Sequence, residues 1–578
     1  MIPNPGFRGR RGWLAWALWV AIFFLVAASR MGAYEDFLSN RALTTGDARQ
    51  QIIPYIQAHA DEDYISRYYR QAFIPLGIDV LYQSAGRFAD VDIFARYTGF
   101  ALLIATITFS GLAVANLAGR WAALACMCYL LSANTLTEIT LHGIPRAFAP
   151  ACMAACFWAA SAKRWRSMAA TTVLSALFYP VVSAISGLWL AFNLCLHDSH
   201  RWRWQPAMPS RASLALLAAT AFSIPIFLLP TVLEGRSYGA RITPGMIADF
   251  PEAGPEGRYK TPIDGIWGQS LSDILQQPRM YHALVGSGSP LFKTVYIGDW
   301  WQPGQCLSLL AAILLITAIG LALLYRDGRR DAAQLAVTAL AASLAGYVLS
   351  SLLIPYVFLP DRYIMYSWQI FVPAFLACAL EGIYCALARH IRRLLHAPLH
   401  AVILMLPVAL LGGDGVRDVS GHAMLSADIH ELRVDDNLKL ALEKLPESAV
   451  IAGWPDETLD NVAYFTRRRV YLHYKTHQAF HTGYALEMRR RMNLLMEALF
   501  GTDPQNLNRL REDGVTHVLI RLPLYNRSFP PTYFEPFNSY LKEHWPVWQQ
   551  TTPALLQLPE SQTLYQDNAW RLIRLTPQ

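Results

Sequence analysis

A chain of 578 residues with 54% hydrophobic and only 16% charged side chains is not composed like a soluble enzyme, where about a quarter of residues are charged. Its formal charge of +7 does not point to nucleic acid, because the basic residues are sorted loop by loop along apolar runs. All eight cysteines fall in apolar stretches and none in the polar segments, which argues against a disulfide framework or a thiolate metal site and for small buried hydrophobes.

Runs of about twenty apolar residues can cross a hydrocarbon core of about 30 Å as helices. Such spans are expected, in chain order, at 13–31, 97–118, 121–139, 147–162, 168–181, 183–196, 212–232, 305–325, 332–355, 363–388 and 398–413. The stretch 168–196 is long for one span and short for two, and Pro180 breaks or kinks it. Charge arbitrates. Basic clusters stand at Arg8/Arg10/Arg11, Arg120, Lys163/Arg164/Arg166, Arg201/Arg203/Arg211, Arg326/Arg329/Arg330 and Arg389/Arg392/Arg393. A hairpin of two short helices at 168–196 puts all of them on one side, where they meet only Asp198, Asp327 and Asp331. The excess of Lys and Arg in cytoplasmic loops then favours the hairpin and a cytoplasmic N-terminus. Residues 1–30 share features with a secretory signal and are read as a retained anchor.

The expected fold class is therefore a polytopic α-helical membrane protein, with about 11 transmembrane helices, N-in and C-out. Its transmembrane domain is 1–413, with outward loops 32–96 and 233–304. Residues 414–578 form an extracytoplasmic soluble α/β domain: "VDDNLKLALEKL" and "GYALEMRRRMNLLMEALF" have helical spacing, "SAVIAGW", "RRVYLHY" and "THVLIRL" read as strands, and "ALLQLPESQTLYQDNAWRLIRL" alternates around a turn. It carries no glycine-rich phosphate fingerprint, GxSxG or HExxH. His473, His477 and His481 are spaced for one helix face, yet suit surface positions better than a metal site. Substrate recognition or a lid is the expected role.

Polar residues gather on the outward side. "GDARQQIIPYIQAHADEDYISRYYRQAFIPLG" (46–77) carries Asp47, Arg49, Asp63, Arg67 and Arg70 among four tyrosines. "LHGIPRAFAP" (141–150) holds His142 and Arg146, "SALFYPVV" puts Tyr179 at the hairpin tip, and "LPDRYIMY" (359–366) holds Arg362 and Tyr363. Charges at the hydrocarbon edge cost on the order of 2–3 kcal/mol each at depth, so arginines gathered there want an anion: a lipid headgroup or a phosphate-bearing substrate. A carboxylate among them can serve as a general base. Tryptophans in "GIWGQS" and "IGDWW" suit stacking on sugar rings and equally suit a membrane interface.

The helix pattern, the first outer loop with its acidic "GDAR", the "PRAF" turn, the "LFYP" helix break and the outer α/β domain together resemble the GT-C superfamily of integral membrane glycosyltransferases, in an uncharacterised bacterial subgroup. The resemblance implies a polyprenyl-phosphate sugar as donor, a glycan, lipid or protein acceptor, membrane lipids as surroundings, inversion at the sugar, and a site facing the periplasm from a bacterial inner membrane. It implies Asp47 as the acceptor's base, with Arg49, Asp63, Arg67, Arg70, His142, Arg146, Tyr179, Arg362 and Tyr363 as substrate contacts. Many members pair two acids in the first loop. Here Asp47 stands alone and Glu35/Asp36 is the competing pair, so a divalent metal is not favoured and no cofactor is expected. The alternatives are a transporter or flippase of lipid-linked saccharides, or a polymerase or ligase of them.

Overall fold

The computed structural model describes residues 46–57, 60–195, 211–258, 303–353, 360–390 and 436–575, with isolated residues between 17 and 39, a short ribbon of Tyr296–Ile297 against Trp300–Trp301, and residue 403. Most of the expected spans 13–31 and 398–413, together with Asp36 and the "GIWGQS" stretch, lie outside the described residues.

The described parts of every other expected span are mostly helical. The membrane domain contains α1 (Gly46–Ile56), α2 (Tyr64–Ala72), α3 (Leu76–Ala85), α4 (Val91–Leu117), α5 (Arg120–Ser132), α6 (Asn134–Leu141), α7 (Phe148–Ser161), α8 (Trp165–Phe178), α9 (Pro180–Cys195), α10 (Arg211–Gly235), α11 (Pro303–Arg326), α12 (Arg330–Leu352) and α13 (Asp361–His390). Among the described residues, five helices are long and apolar enough to cross a membrane, and α5 and α9 are shorter apolar helices. Two local expectations change. The segment 121–139 is two helices, because Ala133 turns to φ −77°, ψ 102° between α5 and α6. The segment expected as the first outer loop holds three short helices among its described residues, with Asp63 capping α2 through Ser66 N at 2.8 Å.

The hairpin at 168–196 has a local cause. A proline pushes its predecessor out of helical space, and Tyr179 takes φ −153°, ψ 93° ahead of Pro180. Helices α8 and α9 then pack side by side. Among the described residues, the basic turns at 163, 326–330 and 389 meet at one end of the bundle: Lys163 pairs with Asp331 at 3.0 Å, Arg389 with Asp327 at 2.7 Å, and Arg329 donates to the Ala118 carbonyl. Helix α13 runs from this end to the opposite one and crosses α11 very closely. A Cβ at Gly320 would lie 2.3 Å from the Ala379 carbonyl oxygen, so the crossing needs glycine there.

Residues 436–575 form a mixed five-stranded sheet flanked by helices. The chain order is α14 (Asp436–Glu443), β1 (Val450–Gly453), α15 (Glu457–Thr466), β2 (Arg469–Val470), α16 (Thr482–Phe500), α17 (Gln505–Glu512), β3 (His517–Arg521), α18 (Phe537–Trp548), β4 (Thr563–Gln566) and β5 (Trp570–Arg574). The spatial order is β2-β1-β3-β5-β4, with β1 parallel to β2 and β3, and β5 antiparallel to β3 and β4. This domain is bound to the membrane domain by polar contacts, several of them buried. Arg49 donates to Asn461 Oδ1 at 2.7 Å, Gln50 to the Asp460 carbonyl at 2.9 Å, and Tyr464 to buried Asp92, while Arg467 pairs with Asp90. The segment after α10 docks on it too. Ile242 N bonds Phe480 O, Thr482 N bonds Ala240 O, and Arg489 grips fully buried Glu252 at 2.6 and 2.7 Å.

Candidate active site

At the end of the bundle opposite the basic turns lies a cavity of about 500 Å³. Its wall is assembled from segments remote in sequence: the first turn of α1, part of α2, the Pro145–Arg146 turn, the α8–α9 break, α10 with the segment that follows it, the start of α13, and residues 475–481 of the C-terminal domain. Among the described residues, five cationic side chains line it, Arg146, Arg241, Arg258, Arg362 and Lys475, against one carboxylate, Asp47.

Asp47 sits in the first turn of α1, where the helix dipole favours a negative charge. Its oxygens are divided between Lys475 Nζ at 3.1 Å and Arg146 Nη1 at 3.4 Å, and the side chain remains 56% exposed. Its place in the cavity wall works against ionisation. Lys475, Arg146 and Arg362 outweigh that and hold the carboxyl below the usual aspartate range. Arg146 is set by its turn. Gly143 adopts φ +66° against α4, where a Cβ would meet the Ala95 carbonyl oxygen at 2.0 Å, and Pro145 opens the short 3-10 turn that carries Arg146. Arg362, at the start of α13, donates to Tyr179 Oη at 3.2 Å, so the helix break and α13 hold each other at the cavity.

Four sequence-expected residues therefore meet in one cavity: Asp47, Arg146, Tyr179 and Arg362. The other six do not line it. Arg49 is 1% exposed; it bonds Asn461 and lies 4.7 Å from the Phe465 ring centre, facing the C-terminal domain. Asp63 is a helix cap. Arg67 is exposed on α2 outside the cavity. Arg70 is taken up by Asp61 at 2.6 Å and Asp79 at 3.2 Å. His142 is buried edge-on to Phe37, and burial, with Arg146 and Arg49 nearby, pushes its pKa down to about 3. Tyr363 is buried against Gly346 of α12. Sequence spacing put these residues on the right segments but not on the right faces.

Arg241, Arg258, Lys475 and Gln478 also line the cavity and carried no sequence signal. Lys475 is positioned through its backbone. Its N–H faces the Asp460 carboxylate at 3.2 and 3.5 Å, and its carbonyl accepts from Gln478 Nε2 at 2.9 Å. Asp460 is 2% exposed and burial raises its pKa to about 7. The three histidines of this stretch diverge. His473 approaches Asp460 at 3.8 Å, His477 bonds Tyr533 Oη at 3.1 Å and His481 bonds Tyr68 Oη at 3.0 Å. No group of three His, Cys, Asp or Glu able to hold a metal ion occurs among the described residues. Asp47 between cations is a poor donor set for a divalent ion, which takes several oxygen ligands.

No family model matches the chain, and no curated protein sequence matches it. Solved structures do align. ArnT from Cupriavidus metallidurans in the apo state is 14% identical, covering 98% of this chain and 100% of that one, at a TM-score of 0.48. ArnT bound to undecaprenyl phosphate is 14% identical over 99% and 100%, at 0.37. The Archaeoglobus fulgidus oligosaccharyltransferase in complex with Zn and sulfate is 12% identical over 88% and 68%, at 0.44. Both proteins are GT-C superfamily membrane glycosyltransferases, the superfamily that the sequence motifs resemble.

Proposed function

We propose that the protein is a membrane glycosyltransferase of GT-C type. It moves one hexosyl or pentosyl unit from a polyprenyl-phosphate-linked donor to a hydroxyl of a glycan, lipid or protein acceptor, at the periplasmic face of a bacterial inner membrane. The observation that carries this reading is a carboxylate, the one among the described lining residues, ringed by cationic side chains in a cavity at the ends of membrane helices. Arg362, with Tyr179, and Arg146 hold the donor phosphate. Asp47 accepts the acceptor's hydroxyl proton as that oxygen bonds the anomeric carbon. The bond from that carbon to the phosphate oxygen breaks, and its electron pair leaves on the phosphate, where the arginines stabilise the charge that develops. Attack on the face opposite the phosphate inverts the sugar. Every step uses side chains of this chain, and none is routed through a metal.

The test is enzymatic. Full-length protein in detergent is given a panel of radiolabelled undecaprenyl-phosphate sugars and cell-envelope extract, and undecaprenyl phosphate release is measured. Asp47→Asn should lower the rate by about 10²–10⁴-fold with unchanged protein yield. A variant that keeps the wild-type rate removes Asp47 from the mechanism. In cells, the same substitution should reproduce the surface-glycan mass change of a deletion.

A further inference from the structure

We infer that a groove between α11, α12 and α13 binds one anionic phospholipid, with an acyl chain laid along the groove and the headgroup phosphate on Arg326. The inference goes beyond the transfer reading, and the groove shares no lining residue with the cavity around Asp47.

The groove has a volume of about 800 Å³. Leu314, Thr317, Leu321 and Tyr325 line it at intervals of three and four residues, which is one face of α11. Alanines open it. Ala318 and Ala322 of α11 and Ala333 and Ala336 of α12 all stand in its wall, so these two helices leave a space that larger side chains would close. Phe371 and Phe375 of α13 line it and are buried in the bundle core, whereas Val337 and Leu340 of α12 are exposed, so the groove opens to the surroundings of the bundle. Water does not suit such a wall, because a bound water needs about two to four polar partners. Thr317 already donates to the Ile313 carbonyl of its own helix at 2.8 Å. A hydrocarbon chain does suit it.

Length and charge select which chain. From Leu314 to Arg326 helix α11 rises about 18 Å, close to the roughly 15 Å of hydrocarbon in one leaflet. Arg326 lines one end of that length, at the end of the bundle where the basic turns meet, and Arg330 lies 5.3 Å from the ring centre of Tyr325 beside it. The acids of the same turns are engaged, Asp327 with Arg389 and Asp331 with Lys163. A guanidinium at the mouth of a groove about one leaflet deep matches a phosphodiester headgroup with its acyl chain behind it. Charge sorting makes this the cytoplasmic leaflet. The chain's own apolar segments 13–29 and 398–413 contain no acidic residue to meet Arg326. A polyprenyl phosphate has an anionic head, but the cavity with Asp47 and its cations stands at the opposite end of the bundle.

The test uses full-length protein stripped of lipid in detergent, and native mass spectrometry with dioleoyl phosphatidylglycerol or dioleoyl phosphatidylcholine. Wild type should retain one phosphatidylglycerol with about fivefold higher affinity than phosphatidylcholine, the preference that one basic residue near an anionic headgroup confers. Arg326→Gln should remove that preference and keep the weaker binding of both lipids. Ala318→Phe puts a ring into the groove from an exposed position and should weaken both lipids by about tenfold, the loss of about two buried methylenes. Neither variant should change undecaprenyl phosphate affinity by more than about threefold. Melting temperatures without added lipid show whether the variants fold, and Ala322→Phe takes the place of Ala318→Phe if that one does not. Equal retention of the two lipids by wild type would overturn the inference, as would a preference that survives Arg326→Gln or binding indifferent to the ring. So would undecaprenyl phosphate displacing phosphatidylglycerol from wild type, since the groove would then hold a polyprenyl tail. None of these outcomes depends on glycosyl transfer, so the two readings stand or fall separately.

Discussion

Arg49 stands two residues from Asp47, and the sequence offers it as a substrate ligand, whereas the structure makes it a strut between domains. Replacing it with Met separates the two roles. The guanidinium donates a charged hydrogen bond to Asn461 and lies over Phe465. Burial lowers its pKa to about 10, with Tyr464 and Asp92 pushing back, so it is charged at neutral pH. A charged hydrogen bond contributes about 1.5–3 kcal/mol, and a desolvated cation–π contact about 2 kcal/mol. Met keeps much of the stem's packing, so the expected loss is about 3–4 kcal/mol, in line with removing one member of a buried charged pair. For a cooperative unit of 150–250 residues each kcal/mol shifts the midpoint by about 2–4 °C. Scanning fluorimetry of detergent-solubilised Arg49→Met should therefore show a drop of roughly 6–16 °C, with Arg49→Lys falling between it and wild type. A midpoint within about 2 °C of wild type, together with weaker undecaprenyl phosphate binding, would refute the strut and restore the ligand.

Three further outcomes are expected. Gly143→Ala puts a Cβ 2.0 Å from the Ala95 carbonyl at a positive φ; it should destabilise the fold by on the order of 1–3 kcal/mol and displace Arg146, lowering undecaprenyl phosphate affinity. Asp460 has a folded pKa of about 7 against about 3.9 unfolded. The folded state thus holds this proton more tightly, and the stabilisation is complete below about pH 4 and lost as pH rises through about 7. Asp460→Asn should flatten the decline in melting temperature over that window, and an unchanged slope would remove Asp460 as its source. Tyr179→Phe deletes the hydroxyl that accepts from Arg362 at 3.2 Å; undecaprenyl phosphate should bind about 3–10-fold more weakly, the value of one hydrogen bond, and the melting temperature should fall by no more than a few degrees.

Much of the membrane fold was legible because lipid imposes simple rules. Apolar length located the helices, and Pro180 located the break, since a proline disfavours helical backbone in the residue before it. Charge sorting selected the hairpin, and the Lys163–Asp331 and Arg389–Asp327 contacts gather the described basic turns at one end. The site was half legible. Residues at turns and helix starts, such as Arg146 and Arg362, have few directions open to them, and their segments point at the cavity. Residues inside the short helices of the first loop have a full circle of directions. Arg49 is two positions from Asp47, about 200° around a helix, and faces the other domain. Lys475 was illegible for a different reason. Its contact with Asp47 spans 428 residues, and "HYKTHQ" has no pattern to mark it, because the determinant is a docking of domains and not a local motif.

The Lys475 contact bears on how Asp47 can act as a base. A carboxylate divided between two cations is a weak proton acceptor, and a base works best when its pKa approaches the operating pH. On the transfer reading, the donor phosphate enters the same cavity and draws on the same cations, so its arrival weakens their hold on Asp47 and raises its proton affinity when the acceptor hydroxyl is in place. Lys475→Ala should then move the acid limb of the pH–rate profile in a definite direction. With its nearest cation gone, the depressed pKa of Asp47 rises toward the ordinary aspartate value, so activity is lost at a higher pH than in wild type. The shift should be largest for kcat/KM, which reports the free enzyme, and smaller for kcat, where phosphate has already engaged the cations. An acid limb that does not move, or moves to lower pH, would mean that Lys475 does not govern the ionisation of Asp47 and that its 3.1 Å contact only joins the two domains.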